Sequence, residues 1–197
     1  MKLYGKTIGF ALTGSHCTIS KVISQIKRLV DEGANVIPII SHNLMVTDTR
    51  FGNTINWQKQ LKEITGHNII TTIVEAESIG PNESLDLVII APATGNTISK
   101  LANAITDTAV LMATKAHLRN MKPVVIAIST NDGLGLNGQN IGKLFSTKNI
   151  FLVPFGQDSP FKKPNSLVAK MDMILETCEY ALENKQIQPV IITKFND

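Results

Sequence analysis

The sequence predicts a three-layer α/β sandwich with a parallel sheet, formed as one domain over residues 1–197. Short apolar runs such as Leu87–Ala91 and Val124–Ile128 are typical of buried parallel strands. Segments with apolar residues at helical spacing alternate with these runs, as expected for a parallel sheet covered by helices. Small polar residues follow the main strands, and open α/β sheets bind ligands at the carboxyl ends of their strands.

The first predicted strand, Lys6–Leu12, leads into a polar loop, Thr13–Thr18, and then into a helix over about Ile19–Glu32. This order places free N–H groups and the positive end of the helix dipole where an anion can bind. Gly14 allows close backbone approach, and Ser15 can add a hydroxyl donor. The loop matches neither a Walker sequence nor GxGxxG, so it favours a monophosphate. An ordinary helix cap is the alternative.

The second predicted strand, Asn35–Ile40, ends at Ser41, which should lie on the same edge of the sheet as the first loop. The hydroxyl of Ser41 is therefore a candidate ligand contact. A polar stretch, Asn43–Asn53, follows and contains Arg50. Arg50 could bind an anionic substrate or a neighbouring subunit, and a solvated side chain is the alternative.

Three further elements precede the central strand. An amphipathic helix carries Trp57, Leu61 and Ile64 and ends at a glycine. A short strand is predicted near Ile69–Val74, and a polar connection over Glu75–Ser84 then reaches the central stretch.

The central strand stops at Pro92, a loop of small residues follows, and a helix with Ile98, Leu101 and Ile105 on one face begins. The loop offers hydroxyls, an amide and a glycine, without metal ligands or an obvious nucleophile. Such a loop can hold a cofactor by hydrogen bonds and close backbone approach, whereas a capped turn is the alternative. The candidate cofactor contacts are Thr94, Gly95, Asn96 and Thr97.

The second half of the chain continues the alternation, and its last residues, 186–197, are not assigned. Ser129 and Thr130 follow a strong strand and are candidate contacts on the last rim loop. The predicted elements are a helix over Ala109–Leu118, a strand over Val124–Ile128, a helix over Leu134–Leu144, a strand over Asn149–Pro154, a polar segment over Phe155–Ser166 and a helix over Leu167–Leu182.

The composition, with 43% hydrophobic and 18% charged residues, is that of a globular protein. The net charge of +3 and the scattered lysines do not favour nucleic acid binding. No apolar run is long enough to span a bilayer, and no basic region followed by an apolar one marks the N-terminus. We therefore expect a cytoplasmic protein, in which the distant Cys17 and Cys178 are structural thiols.

Catalytic groups are scarce, and no catalytic residue is assigned. The four histidines, at positions 16, 42, 67 and 117, are not at ligand spacing, so we predict no metal. Cys17 has no identifiable base beyond its neighbour His16. Binding loops without acid or base groups suggest that a cofactor carries the chemistry. One monophosphate-sized loop, without a second phosphate fingerprint or an acidic ribose partner, predicts FMN rather than FAD or NAD.

Three stretches stand out: TGSHCT after the first strand, APATGNTISKLANAITD in the middle, and the strand followed by STND. In this order they resemble the flavoprotein family of homo-oligomeric flavin-containing cysteine decarboxylases. More particular stretches, GFALTGSHCT, TDTRFG, STNDGLGLNG and NIFLVPFGQDSPFKKPNSLVAKMD, are similar to a branch of that family found in spore-forming bacteria. The resemblance covers essentially the whole chain and implies a flavodoxin-like (Rossmann-like) fold.

The resemblance to this branch also implies a function. The chain would work with a dinucleotide-binding partner, the A subunit of the same enzyme, which carries NAD(P), in the mother-cell cytoplasm of a sporulating bacterium. Together the two proteins would oxidise dihydrodipicolinate to dipicolinate (pyridine-2,6-dicarboxylate). Position by position, the family's phosphate loop falls on Thr13, Gly14 and Ser15, its second-strand hydroxyl on Ser41, its ribityl and ring loop on Thr94, Gly95, Asn96 and Thr97, and its last rim loop on Ser129 and Thr130.

Two departures from the decarboxylase pattern matter. The family places a histidine shortly before the central strand, where this chain reads 79-IGPNES-84. The family also carries Pro-Ala-Met-Asn after the next strand, where this chain reads 128-ISTN-131. Both differences argue against decarboxylation of a peptidyl or pantothenoyl cysteine.

Three hypotheses therefore stand: a flavin-linked oxidoreductase subunit, an FMN-dependent decarboxylase or prenyltransferase of the same fold, and a non-catalytic scaffold subunit.

A dicarboxylate substrate calls for cationic side chains, and Arg50, Lys162 and Lys163 are the candidates near predicted rims. The resemblance implies a homo-oligomer, either a trimer or an assembly of trimers. We also expect an exposed apolar patch around Val110, Leu111 and Met112 to serve as a contact between copies of the chain.

Overall fold

The computed structural model describes residues 2–15, 18–46, 53–82 and 85–192 (for residues 80–82, the backbone). Its strands are β1 (Thr7–Leu12), β2 (Asn35–Ile40), β3 (Leu87–Ala93), β4 (Val124–Thr130), β5 (Ile150–Leu152), β6 (Phe155–Gly156) and β7 (Leu167–Ala169). Its helices are α1 (Ile19–Asp31), α2 (His42–Val46), α3 (Thr54–Thr65), α4 (Ile73–Asn82), α5 (Gly95–Ala102), α6 (Ala109–Arg119), α7 (Asn137–Phe145), a 3₁₀ turn (Met171–Met173) and α8 (Ile174–Leu182).

Five strands form a parallel sheet in the order β2-β1-β3-β4-β5. The end of β4 extends past β5 and pairs instead with β7, which runs antiparallel to it and also pairs antiparallel with β6. Helices flank the sheet in two groups: α1 contacts α3 and α8, while α4 contacts α6 and α5 contacts α7. The predicted α/β sandwich is thus confirmed, with a sheet that is mostly rather than wholly parallel.

The core lies along the middle strands because helices cover them on both sides. All seven residues of β3 are buried, and so are the last five residues of both β1 and β2. The register pairs Ile8 with Leu87 and Phe10 with Ile89, which places β1 between β2 and β3. The carboxyl ends of β1, β3 and β4 therefore lie side by side at one edge.

The region after α3 differs from the prediction of a short strand and a polar connection. Ile70 makes only an isolated bridge with Ile39, and residues Ile73–Asn82 form the helix α4. A capping box explains the difference: the Glu75 carboxylate accepts from the N–H groups of Thr71 and Thr72, at 2.9 and 3.0 Å. These hydrogen bonds lower the pKa of Glu75, so the carboxylate stays charged at the positive end of the helix.

Two predicted helices begin later than expected. Leu167–Ala169 forms β7 because it pairs with the end of β4, and regular helix begins only at Ile174. Turns occupy the residues before Asn137, where the second of these helices begins. The unassigned tail runs along β6, where Phe155 donates its N–H to the Val190 carbonyl and accepts from the N–H of Ile192.

The expected apolar patch on α6 is not on the surface. Val110 and Leu111 are each 1% exposed, and Met112 packs against the core. These side chains are covered within the chain, so the patch prediction is wrong. Ile105 also falls outside its predicted helix, because α5 ends at Ala102, and it is 46% exposed. No helix in the described part of the chain is long and apolar enough to cross a membrane.

Candidate cofactor site at the carboxyl edge of the sheet

A cavity of about 1040 Å³ opens at the carboxyl ends of β1, β3 and β4. Such a volume is at the upper end of the range for small-molecule sites. Six of the predicted cofactor contacts line it: Gly14, Ser15, Thr94, Gly95, Ser129 and Thr130. The topology brings them together because β1, β3 and β4 are adjacent in the sheet although distant in sequence.

Hydroxyl groups join the first loop to the end of β4. Ser15 Oγ lies 2.8 Å from Ser129 Oγ, and Thr18 Oγ1 lies 3.1 Å from Ser15 Oγ. Thr18 also donates to the backbone carbonyl of Ser15, at 2.8 Å, and makes no side-chain cap on helix α1. The start of α1 is therefore a cluster of hydroxyls on the cavity wall, beside the positive end of a helix.

Thr13 is buried and does not line the cavity. Its Oγ1 donates to the Pro92 carbonyl at 2.6 Å and accepts from the Thr94 N–H at 3.1 Å. These two bonds tie the end of β1 to the loop after β3. Thr13 therefore positions Thr94, whereas the sequence predicted it as a direct cofactor contact.

Of the four residues predicted after β3, only Thr94 and Gly95 line the cavity. Thr94 is the N-cap of α5, and its Oγ1 lies 3.1 Å from Thr97 Oγ1. Because the helix begins at Gly95, the following side chains turn away from the cavity. Thr97 is buried, Asn96 is exposed, and neither lines the cavity.

Gly95 lies closely packed against three polar side chains. A Cβ atom at this position would lie 2.6 Å from Thr130 Oγ1, 2.7 Å from Asn137 Nδ2 and 2.9 Å from Asp132 Oδ1. These distances are shorter than van der Waals contact, so a larger residue here would force these hydrogen-bonded side chains to shift. The sequence predicted Gly95 for backbone approach to a ligand, whereas the structure shows approach to three polar side chains.

Sequence reasoning missed the carboxylate in this cluster. Asn137 Nδ2 lies 3.0 and 2.9 Å from the two oxygens of Asp132, and Thr130 Oγ1 donates to the same carboxylate. These hydrogen bonds lower the pKa of Asp132, so it is ionised at neutral pH. Asn140 then donates to Asn137 Oδ1 at 2.9 Å. The close spacing of Asp132, Asn137 and Asn140 in the sequence was the signal that could have indicated this hydrogen-bonded cluster.

The ionised Asp132 makes the two helix starts electrostatically different. It lies against Gly95, the first residue of α5, and complements the positive end of that helix. An anionic ligand would be repelled there. The start of α1, at Ser15 and Thr18, carries hydroxyls and is the better place for a phosphate.

Ser41 lies at the end of β2 but does not line the cavity. Its Oγ is buried and has no hydrogen-bond partner among the described residues. A buried hydroxyl without a partner costs free energy, so this position can accept a hydrogen bond from a ligand or water.

Only one of the three candidate substrate residues is found on the cavity wall in the described part of the chain. Lys163 lines the cavity, and its Nζ lies 3.8 Å from Asp158 Oδ2, whereas Lys162 is exposed and does not line it. Arg50 lies outside the described residues, as do His16 and Cys17.

The remaining titratable candidates are structural. His117 is buried, its Nε2 lies 3.0 Å from the Pro123 carbonyl, and desolvation lowers its pKa to about 4. Burial raises the pKa of the Cys178 thiol, so it is not a reactive nucleophile. Among the residues that the structure describes, no group of three histidine, cysteine or acidic side chains could hold a metal ion.

Relatives with nearly the same length are known. The chain is 56% identical over 193 residues to the B subunit of dipicolinate synthase from Bacillus subtilis (strain 168), covering 98% of this chain and 96% of that protein. A crystal structure of the dipicolinate synthase B subunit from Bacillus halodurans superposes with a TM-score of 0.92 at 55% identity, covering 99% of this chain and all of the other.

A more distant structure supports the fold. The crystal structure of the FMN-dependent cysteine decarboxylase SpaF superposes with a TM-score of 0.64 at 15% identity, covering 93% of this chain and 99% of the other. The flavoprotein family matches residues 1–179. The predicted resemblance is thereby confirmed, and the chain belongs to the flavoprotein family.

Proposed function

We propose that this chain is the flavin-binding B subunit of a two-component dipicolinate synthase. It would work with the dinucleotide-binding A subunit of dipicolinate synthase to oxidise dihydrodipicolinate to dipicolinate. The observation that carries the proposal is the cavity lined by hydroxyls beside the start of α1, where Thr18 makes no side-chain cap. Similarity to two dipicolinate synthase B subunits supports the choice of reaction.

The residues present fit FMN. Gly14, Ser15 and the start of α1 would hold the phosphate, because they combine hydroxyls with the positive end of a helix. Thr94, Ser129 and the residues beside them would contact the rest of the cofactor along the cavity wall. When bound, a flavin supplies reversible hydride acceptance.

The protein's part in the reaction is to bind and orient. Oxidation of dihydrodipicolinate removes a hydride and a proton and leaves an aromatic ring, so aromatisation contributes to the driving force. The chain must hold the ring in place and neutralise two carboxylates. We expect the partner protein to carry NAD(P), which would supply the final hydride acceptor. We expect the location to be the mother-cell cytoplasm of a sporulating bacterium.

Two alternatives remain within the same fold. A non-catalytic scaffold would use this surface only to stabilise the partner protein. A decarboxylase or prenyltransferase is disfavoured, because the sequence lacks the histidine before β3 and the Pro-Ala-Met-Asn motif after β4. We also propose that the chain forms a homo-oligomer, either a trimer or an assembly of trimers. A monomer mass from light scattering at micromolar concentration would contradict this.

An absorption spectrum combined with a reconstituted assay tests the function. We expect the purified chain to show the visible bands of oxidised flavin after incubation with FMN and desalting. We also expect dipicolinate to form only when this chain and its dinucleotide-binding partner are both present. A chain that stimulates the partner fully without flavin would be a scaffold, and one that has no effect on the partner would contradict the proposal.

A further inference from the structure

Two residues near the end of the described chain line the cavity at the carboxyl edge of the sheet. These are Pro189 and Ile192, in the segment 186–192 that follows α8. They lie beyond residue 179, where the match to the flavoprotein family ends. The residues predicted from the sequence as cofactor contacts all come before that point. The segment 186–192 therefore adds to the cavity residues that family membership does not account for.

Hydrogen bonds to two strands fix the segment 186–192 against the sheet. Phe155 of β6 donates its N–H to the Val190 carbonyl at 2.9 Å and accepts from the N–H of Ile192 at 3.0 Å. The side-chain amide of Gln186 pairs with Leu152 of β5 as a neighbouring strand would. Its Oε1 accepts from the Leu152 N–H at 2.8 Å, and its Nε2 donates to the Leu152 carbonyl at 2.7 Å. These contacts hold Ile192 in place on the cavity.

Two neighbouring isoleucines of this segment have different surroundings. Ile192 is partly buried and lines the cavity, whereas Ile191 is 66% exposed and does not line it. Ile191 forms a parallel bridge with Phe155, and successive side chains of an extended chain point to opposite faces. The two positions carry the same residue type, so they form a matched pair for mutation.

The apolar side chains on the described cavity wall come from two segments: Val168, Ala169, Met171 and Met173 in and just after β7, and Pro189 and Ile192 in the segment 186–192. The two segments are near each other, because β7 and the segment 186–192 both pair with Phe155 of β6. The residues that follow β1, β3 and β4 instead contribute hydroxyl groups. A ligand that suits this lining has apolar faces and polar edges, as a flat heterocyclic ring does.

We propose that Pro189 and Ile192 contact the flat ring of a flavin bound in the cavity, so that the segment 186–192 is part of the cofactor site. The inference rests on the proposed function, because flavin is the cofactor proposed there. FMN and riboflavin share this ring, whereas only FMN carries the phosphate assigned to the start of α1. A residue that contacts the ring must therefore affect both ligands equally.

Fluorescence titrations of the full chain with FMN and with riboflavin test the inference. We expect Ile192→Ser to weaken the binding of both ligands by the same factor, roughly fivefold, which is about the effect of one buried methylene group. Ile191→Ser makes the same change at the adjacent exposed position, and we expect wild-type affinity for both ligands. Urea denaturation of the two variants checks that both are folded.

Hydrogen exchange of the wild-type chain gives a second measurement that needs no variant. We expect FMN and riboflavin each to slow exchange in peptides that contain Ile192. The N–H of Ile192 is hydrogen-bonded to the Phe155 carbonyl, and a ring that covers Ile192 should make opening of this contact rarer.

Wild-type affinity of a folded Ile192→Ser chain for both flavins would overturn the inference and leave the proposed cofactor in place. A loss of FMN affinity alone would also overturn it, because the segment would then lie beside the phosphate. An equal loss in Ile191→Ser would overturn it as well, since the exposed side chain does not line the cavity. If Ile192→Ser does not fold, unchanged exchange at Ile192 on flavin binding is the contradicting result. A wild-type chain that binds neither flavin would contradict the cofactor proposal together with this inference.

Discussion

The starts of α1 and α5 have similar sequences but different chemistry. Each follows a buried parallel strand, and each is preceded by threonine, serine or glycine. Thr94 caps α5, and the ionised Asp132 lies against its first residue, whereas Thr18 makes no side-chain cap on α1. Two loops of similar composition therefore differ in local charge, because a third segment places the Asp132 carboxylate beside only one of them.

Among the changes that test the difference between the two helix starts, replacing Gly95 should have the largest effect. In Gly95→Ala, the added Cβ would lie within 3 Å of Thr130, Asp132 and Asn137, which are already hydrogen-bonded to one another. We expect a loss of about 1–3 kcal/mol in the free energy of unfolding, measured by urea denaturation, together with weaker flavin binding.

The matched control is Gly142→Ala in α7, where an added Cβ meets no atom within 4 Å. This change should leave flavin binding unaltered and raise stability by up to about 1 kcal/mol, because alanine favours a helix. Equal stabilities for Gly95→Ala and the wild type would show that the polar cluster does not constrain the start of α5.

Asn137→Ala tests the carboxylate cluster with a smaller effect. The variant removes the donor that contacts both oxygens of Asp132, so we expect a loss of about 1–2 kcal/mol in the free energy of unfolding. Gln139→Ala changes an exposed amide on the same helix and should have almost no effect.

The pH dependence of the free energy of unfolding shows whether Asp132 stabilises the folded chain. Because its pKa is lower in the folded chain, its stabilisation is present above about pH 4, near the pKa of an unfolded aspartate, and is lost as pH falls further. In Asn137→Ala, the free energy of unfolding should therefore decrease less as pH falls below 4. His117, with its pKa of about 4, instead lowers stability as pH falls from about 6.5 to 4, an effect that variant and wild type share. Identical acid unfolding of variant and wild type below pH 4 would contradict the role given to Asn137.

The sequence predicted the order of strands and helices because periodicity and apolar runs are local properties. It predicted the edge of the sheet that carries the cavity because parallel strands share one direction. It missed β7, a three-residue strand that exists only by pairing with the end of β4. It also predicted the end of a strand and a polar connection where Ile73–Asn82 form a helix, although Thr72 and Glu75 are a capping signal for a helix start.

The site was predicted less completely than the fold. Ser15, Thr94 and Ser129 line the cavity as expected, because residues that directly follow a strand stay at its carboxyl edge. Asn96 and Thr97 do not, because the helix starts earlier than the loop suggested. Lys21 and Lys170 also line the cavity and were not predicted, because they come from segments far apart in the sequence.

The central claim is that the start of α1 holds a flavin phosphate, and paired titrations with FMN and riboflavin test it most directly. We expect FMN to bind more tightly than riboflavin, and Ser15→Ala to lower only the FMN affinity, by roughly fivefold for one lost hydrogen bond. Asn96→Ala, an exposed change at the start of α5, should leave both affinities unchanged. Equal binding of FMN and riboflavin, or a Ser15→Ala chain with wild-type FMN affinity, would contradict the claim.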